Sequence, residues 1–249
     1  MNINYPSLVG DPPSQLGRNL TYGMLDMVGR AIVTGHYERA AFPTEAELAK
    51  QHGVSRSVTR EAVKMLTAKG LLSARPRQGT VVQPATSWNL FDTDVLRWLL
   101  ERRFSVDLLR QFNQLRVAIE PEAAALAAQF ATPADLKRIS EGLRQMNEAE
   151  QGHGEPLEAD IAFHVAILRA SGNPFYAQFR DVVGTALRTS IRFTNRIKGR
   201  TANIADHTAV RDAIVARDPG AARGAMLALI GDVLALMEQV ELATIDASQ

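Results

Sequence analysis

Apolar residues recur at helical intervals along nearly the whole chain, and extended character is confined to one short stretch. Leu20, Met24, Met27, Val28, Ala31 and Ile32 return every three or four positions and predict a first helix over residues 20–34. The run TEAELAKQHGVSRSVTREAVKMLTAKGLL, residues 44–72, then predicts two short helices around a glycine turn. Thr44 supplies an N-cap hydroxyl, Glu47 three residues later completes a capping box, and Leu48 begins the apolar face. Gly53 breaks the chain, Val54 packs the turn, and Ser55 caps a second helix whose inward positions are Val58, Ala62 and Leu66. On another face of that helix Arg56, Arg60 and Lys64 repeat every four residues. The extended stretch follows: SARPRQGTVVQP supplies two arms around a basic turn that holds Arg75, Arg77 and Gly79.

From Asp92 onward the pattern is helical throughout. Helices are expected over 93–102, over 106–130 with an interruption at Pro121, and from Thr132, where Thr-Pro-Ala-Asp is an N-terminal signature. Further stretches run over 156–170, 174–197, 202–216 and 219–240, with Asn173 as the cap before Pro174. The predicted fold class is mainly α: an N-terminal winged helix-turn-helix followed by an all-helical bundle of six or seven helices. The expected divisions are a mobile tail at 1–17, a DNA-binding domain at 18–83, a linker at 84–93, the helical domain at 94–241 and a tail at 242–249.

With 249 residues, 46% of them apolar, the chain has material for two domains with cores. No apolar run is long enough to cross a bilayer, and the N-terminus lacks the basic and apolar pattern of an export signal, so a cytoplasmic location is expected. The absence of cysteine excludes disulfides, thiolate zinc fingers and a thiol nucleophile. Net charge is +1 overall but unevenly spread: residues 1–82 carry 10 Lys or Arg against 6 Asp or Glu, and the remainder 18 against 21. The basic excess sits with the helix-turn-helix, as a nucleic-acid footprint requires, and its small size implies a dimer on a two-fold symmetric duplex.

The stripe of Arg56, Arg60 and Lys64 fits a phosphate-lined groove, with Arg56 and Ser57 placed to reach base edges, yet the stripe alone describes a solvated helix face equally well. The basic turn after it favours the DNA reading. Arg75 and Arg77 suit phosphate or minor-groove contact, and Gly79 permits close backbone approach.

The order of a helix, PTEAELA, GVSRSVTREAVKMLTAKGLL and the wing RPRQGTVV closely resembles the winged helix-turn-helix of GntR-family bacterial transcription regulators. The remainder resembles the FCD effector domain of the FadR-type subfamily through LRVAIEPEAAALAA, ADIAFHVAILRASGNP and DHTAVRDAIVARDPGAARGAM. WNLFDTDVLRWLLE is similar to the linker region of repressors of D-galactonate catabolism. By motif position the resemblance assigns DNA contacts to Arg56, Ser57, Arg60 and Gly79. It also shows a departure at Ala46, where the family often has an arginine.

Asp160 and His164 are four apart and project from one helix face, a spacing that serves a divalent metal or a simple mutual hydrogen bond. The resemblance brings His207 to them as a third ligand, since FCD domains commonly bind a metal through an Asp and three His. The fourth position falls on Leu229, which cannot coordinate. The set fits zinc, nickel or manganese completed by an effector oxygen or water, or a site that has lost its metal and keeps these residues as hydrogen-bonding groups. Arg116 reads either as an intrahelical partner of Glu120 or, by the resemblance, as the group that grips an organic acid. Arg188, Arg192 and Arg196 repeat every four residues; a solvated face is the default, with Arg188 the candidate to turn inward toward an anionic effector.

The expected function is a dimeric repressor whose operator affinity is set by a small carboxylate, a sugar acid foremost, with movement around residues 84–93. Two alternatives are a metal-dependent enzyme built on Asp160, His164 and His207, and a DNA-organising protein with a degenerate effector domain.

Overall fold

The computed structural model describes residues 15–38, 41–75, 78–102, 106–188 and 203–246. Two units divide at Arg102 and Arg103. The first holds α1 (Gln15–Val33), α2 (Glu45–His52), α3 (Arg56–Ala68), a hairpin of β1 (Leu72–Arg75) and β2 (Gly79–Val82), a single 3-10 turn at Ala85–Ser87, and α4 (Thr93–Arg102).

Local chemistry sets these boundaries. The Thr44 hydroxyl accepts from the Glu47 N–H while the Glu47 carboxylate accepts from the Thr44 N–H, which closes the capping box at the start of α2. Gly53 ends α2 at φ 63°, a left-handed conformation that other side chains resist. Ser55 Oγ accepts from the Val58 N–H and starts α3. The strands pair antiparallel, Leu72 with Val82 through Arg75 with Gly79.

The core of this unit joins Met24, Leu25, Val28 and Ile32 of α1 to Leu48 of α2 and to Ala62, Val63 and Leu66 of α3, with Val95 and Trp98 of α4. Two expectations shift here. Helix α1 begins at Gln15, inside the expected tail, and its Leu20 and Met27 face solvent because Leu25 and Val33 take the inward positions.

The expected boundary at residue 94 is also displaced, because α4 packs into the first unit. Trp98 is fully buried, and its indole lies where a Cβ on Gly29 would come within 2.2 Å of the ring, so α1 has to be bare at that point. Its Nε1 donates to Asp26 Oδ1 at 2.7 Å. Lys69, the C-cap of α3, bonds both Asp92 and Asp94 at 2.7–2.8 Å. Within the expected linker, the Asn89 N–H donates to the Lys69 carbonyl at 3.0 Å, so this stretch is fastened to the first unit.

The second unit contains α5 (Val106–Phe130), α6 (Pro133–Glu150), α7 (Pro156–Ala170), the short α8 (Pro174–Gln178), α9 with described residues 180–188, α10 (Ile204–Val215) and α11 (Pro219–Asp246). No strand occurs there among the described residues. Helix α5 packs on α11, α7 and α10, and α6 packs on α7 and α10. The run Ala123, Ala124, Ala125, Ala127 and Ala128 is fully buried, and small side chains there let α5 approach its neighbours closely.

Pro121 does not interrupt α5 as the sequence pattern implies; the helix continues past it to Phe130. Proline inside a helix removes one N–H and leaves a carbonyl unpartnered one turn earlier, a cost of about 3 kcal/mol that burial of the surrounding turns must offset. Thr132 and Asp135 form a reciprocal capping box for α6, and Asn173 caps α8 through the Phe175 N–H. Gly142 of α6 lies against the backbone of Phe163 in α7, where a Cβ would sit 3.0 Å from Phe163 Cα. That close crossing fixes the stretch of α7 that carries Asp160 and His164. No helix among the described residues is long and apolar enough to cross a membrane.

Candidate functional site

Two places concentrate chemistry, one in each unit. On α3, Thr59, Ala62, Val63 and Leu66 are buried, which turns Arg56, Ser57, Arg60 and Lys64 to solvent. Arg60 Nε lies 3.5 Å from Glu45 Oε2 and Lys64 Nζ 2.9 Å from Glu61 Oε1. Exposed pairs of this kind contribute roughly 0–1 kcal/mol, so a phosphate can exchange for either carboxylate. Arg56 has no ion-pair partner among the described residues. In the wing, Arg75 is exposed at the end of β1 opposite Gly79, whose φ of 76° is left-handed. Arg77 lies outside the described residues. Ala46 is exposed on α2.

The second place is buried. Helix α7 sets Asp160 and His164 one turn apart, α5 sets Arg116 and Glu120 one turn apart, and α10 contributes His207; all five side chains lie in the interior. His164 Nδ1 is 2.5 Å from Glu120 Oε2, and its Nε2 is 3.2 Å from Asp160 Oδ1. His207 Nδ1 is 2.7 Å from the carbonyl oxygen of Asn203, and its Nε2 is 3.5 Å from the same Asp160 Oδ1.

A carbonyl can only accept, so His207 carries a proton on Nδ1 and, when neutral, presents a bare Nε2 lone pair. That lone pair points at a carboxylate oxygen. Neither Asp160 Oδ1 nor His207 Nε2 has a partner in hydrogen-bond geometry. Each orphaned buried polar atom costs roughly 1–3 kcal/mol, so the fold holds these atoms toward something that compensates them.

One donor atom from each of Asp160, His164 and His207 lies within 4.8 Å of the other two. Two nitrogens and one oxygen in that space suit a divalent transition metal. The residues fit the group on this ground: two orphaned atoms and a third ligand converge, and both imidazoles have their far nitrogens anchored by acceptors. Leu229 is buried on α11, and its hydrocarbon side chain offers no fourth donor.

Charges in the cluster are mutually adjusted. Burial opposes ionisation of Glu120, but the charges of Arg116 and His164 prevail and hold it at about 2. Burial also opposes the charge on Asp160, and the adjacent His164 and His207 imidazoles outweigh it and hold it well below the usual carboxylate range. For His164, burial disfavours the cation, while Glu120 and Asp160 outweigh this and push it up to about 9 when only protons compete for the site.

Arg116 is 3% exposed and is engaged at its Nε edge. Nε donates to Glu120 Oε1 at 2.5 Å, Nη2 reaches Glu120 Oε2 at 3.4 Å, and Nη1 donates to Asn113 Oδ1 at 3.1 Å. Nη2 also lies 3.4 Å from the His164 ring. A guanidinium has five N–H donors, and three bonds leave two for a ligand. The intrahelical pairing with Glu120 is thus present, and Arg116 adjoins the Asp160, His164 and His207 cluster as well.

Arg188 does not turn inward. Its guanidinium forks onto exposed Glu158 at 2.9–3.0 Å, because both residues stand on the outer surfaces of their helices. Arg192 and Arg196 lie outside the described residues. Glu120 is the functional candidate that sequence reasoning undervalued: it was visible as an i+4 partner of Arg116, and no pattern in the chain joins it to His164.

Comparison with known proteins agrees with this layout. The family model "Bacterial regulatory proteins, gntR family" matches residues 25–82, and the FCD domain model matches residues 111–232. The galactonate operon transcriptional repressor of Escherichia coli K12 is 33% identical, over 89% of this chain and 98% of its own length. An uncharacterised regulator of the same organism, YieP, is also 33% identical, over 86% of this chain and 93% of its own. The solved structure of Lar, which controls the Listeria monocytogenes agr system, superposes with a TM-score of 0.52 at 17% identity, over 92% of this chain and 99% of that one, and supports the fold.

Proposed function

The chain belongs to the gntR family of bacterial regulatory proteins and carries an FCD domain, and from that premise we propose a homodimeric repressor that a small carboxylic acid, a sugar acid foremost, controls through a divalent metal at Asp160, His164 and His207. It is a DNA-binding transcription regulator. The observation that carries it is the convergence of two histidine nitrogens on Asp160 Oδ1, with two of the three atoms unpartnered and Arg116 alongside.

Charge accounting supports an acidic effector. With neutral imidazoles, Arg116, Glu120 and Asp160 leave the buried cluster with one net negative charge. When bound, a divalent ion supplies two positive charges and an affinity for oxygen donors. The cluster then carries one net positive charge, which a monocarboxylate neutralises. Arg116 retains two N–H donors for that carboxylate, and its pairing with Glu120 holds the guanidinium in place. The choice of sugar acid rests on the likeness to the galactonate operon repressor.

At the other unit, exposed Arg56 and Ser57 head the recognition helix toward base edges, while Arg60, Lys64, Arg75 and Gly79 meet the phosphate backbone. The effector changes operator affinity only in so far as it binds the two arrangements of the dimer unequally, and DNA weakens effector binding by the same factor.

Regulatory relatives point against the metal-dependent enzyme. So does the site chemistry, because a carboxylate held at about 2, as Glu120 is, makes a poor general base near neutral pH. Metal analysis of protein purified without chelator tests the metal. Thermal-shift screening against aldonates tests the effector: stabilisation by a few hydroxy acids, lost in His207→Ala, supports the reading, and indifference to all of them overturns it.

A further inference from the structure

We propose that Glu120 is the positioning residue of the metal centre: its carboxylate, held by the Arg116 guanidinium, takes the Nδ1 hydrogen of His164 and so presents His164 Nε2 toward Asp160 as a ligand lone pair. This rests on the metal reading above and extends it to a residue that is not itself a ligand.

The two imidazoles are oriented by different devices. His207 donates Nδ1–H to the backbone carbonyl of Asn203, the N-cap of α10, an acceptor that no side-chain substitution at that position removes. His164 sits mid-helix in α7, and the acceptor at its Nδ1 comes from α5, a separation of 44 residues. Glu120 is 1% exposed, far more enclosed than a helix-surface partner of Arg116 needs to be. Its two oxygens are both in use: Oε1 accepts from Arg116 Nε, and Oε2 accepts from His164 Nδ1 while facing Arg116 Nη2.

That double engagement makes the carboxylate hard to replace. Glu120→Gln converts one of two required acceptors into a donor. Turned toward His164, the amide NH2 group favours the opposite tautomer, with the proton on Nε2 and no lone pair for an ion. Turned toward Arg116, it sets donor against donor. Glu120→Asp keeps the charge that Arg116 needs but withdraws the oxygens by one methylene, so the bond to His164 lengthens while the ion pair persists.

The test uses the full-length chain. Zinc affinity is measured by competition with a chromophoric chelator, at a pH high enough that His164 is neutral in every variant, for the wild type, Glu120→Gln, Glu120→Asp and, as a control, Glu122→Gln, which alters an exposed carboxylate on the same helix paired with Arg223. Loss of an outer-shell partner of this kind lowers metal affinity by about 10- to 100-fold. That loss is expected in Glu120→Gln, a smaller loss in Glu120→Asp, and none in Glu122→Gln. The imidazole nitrogen chemical shifts of His164 in metal-free protein, recorded above pH 9, supply a readout that a purely structural role does not move. They are expected to show the proton on Nδ1 in the wild type and its transfer to Nε2 in Glu120→Gln.

Wild-type zinc affinity in Glu120→Gln, or an unchanged tautomer, overturns the proposal. If the wild type binds no divalent metal, the metal reading fails, and the shifts still decide whether Glu120 sets the tautomer. If Glu120→Gln fails to fold, Glu120→Asp decides on affinity, and zinc binding by it at wild-type strength overturns the assignment.

Discussion

Metal binding at the buried cluster should rise steeply with pH, because the ion and a proton compete for His164 Nε2. In the absence of metal, Glu120 and Asp160 hold the His164 imidazolium to about pH 9 against the opposing effect of burial. The ion needs the neutral ring, so each pH unit below that value lowers the apparent affinity tenfold. At pH 7 the site is therefore expected to lie about 100-fold below its limiting affinity, two pH units below about 9. Glu120 and Asp160 are ionised throughout this window and add no slope of their own.

The same shift affects the metal-free fold. His164 is raised from 6.5 to about 9, so its stabilisation is complete below pH 6.5 and is lost as pH rises through 9, roughly 3 kcal/mol in all. The assay is zinc competition with a chelator of known proton affinity at half-unit steps from pH 6 to 10, with denaturant melts of metal-free protein alongside. A slope near one that flattens above about pH 9 fits the geometry. A flat profile across neutral pH would show that His164 Nε2 is not a ligand.

Three further outcomes follow from particular contacts. Arg116→Ala leaves the Glu120 carboxylate buried without its strongest partner and should destabilise the helical unit by roughly 3–5 kcal/mol in denaturant melts; an unchanged midpoint would remove Arg116 from the buried network. Gly29→Ala places a Cβ 2.2 Å from the Trp98 indole and should cost roughly 1–3 kcal/mol of first-unit stability with a shift in tryptophan emission, and an unaltered spectrum would contradict the α1–α4 packing. On duplex from its own promoter region, Arg56→Ala should cost roughly 1–3 kcal/mol and relax sequence preference, whereas Lys64→Ala should weaken all duplexes alike and lower the salt slope by about one, both read by anisotropy. Identical behaviour of the two variants would refute the division between base-edge and phosphate contacts.

Features governed by neighbours in the chain were legible beforehand. The capping box at Thr44 and the Thr132, Ser55 and Asn173 caps follow from side chains that bond their own backbone within three residues, and the turn at Gly53 from a residue free to adopt positive φ. The exposed stripe of Arg56, Arg60 and Lys64 and the shared face of Asp160 and His164 follow from helical spacing.

What depends on which helix meets which was not legible. The pattern in α4 marks Trp98 as inward, but only the bare surface at Gly29 decides that it packs against α1. Glu120 meets His164 across two helices, and Arg188 turns outward because Glu158 stands at the surface of α7. Proline at 121 reads locally as a break, yet burial on both sides carries α5 through it. Leu20 and Met27 fit a helical stripe, and the neighbouring positions Leu25 and Val33 fill the core in their stead.

The proposed control turns on whether a carboxylate at the Asp160, His164 and His207 cluster sets affinity for DNA. It is tested most directly by titrating promoter duplex with full-length protein and one equivalent of zinc per chain, with and without an aldonate such as D-galactonate, for wild type and His164→Ala. A shift of about tenfold or more is expected in wild-type duplex affinity and none in the variant, with equal duplex affinity for the two proteins before the acid is added. A shift of the same size in both, or none in the wild type with any aldonate, would contradict it.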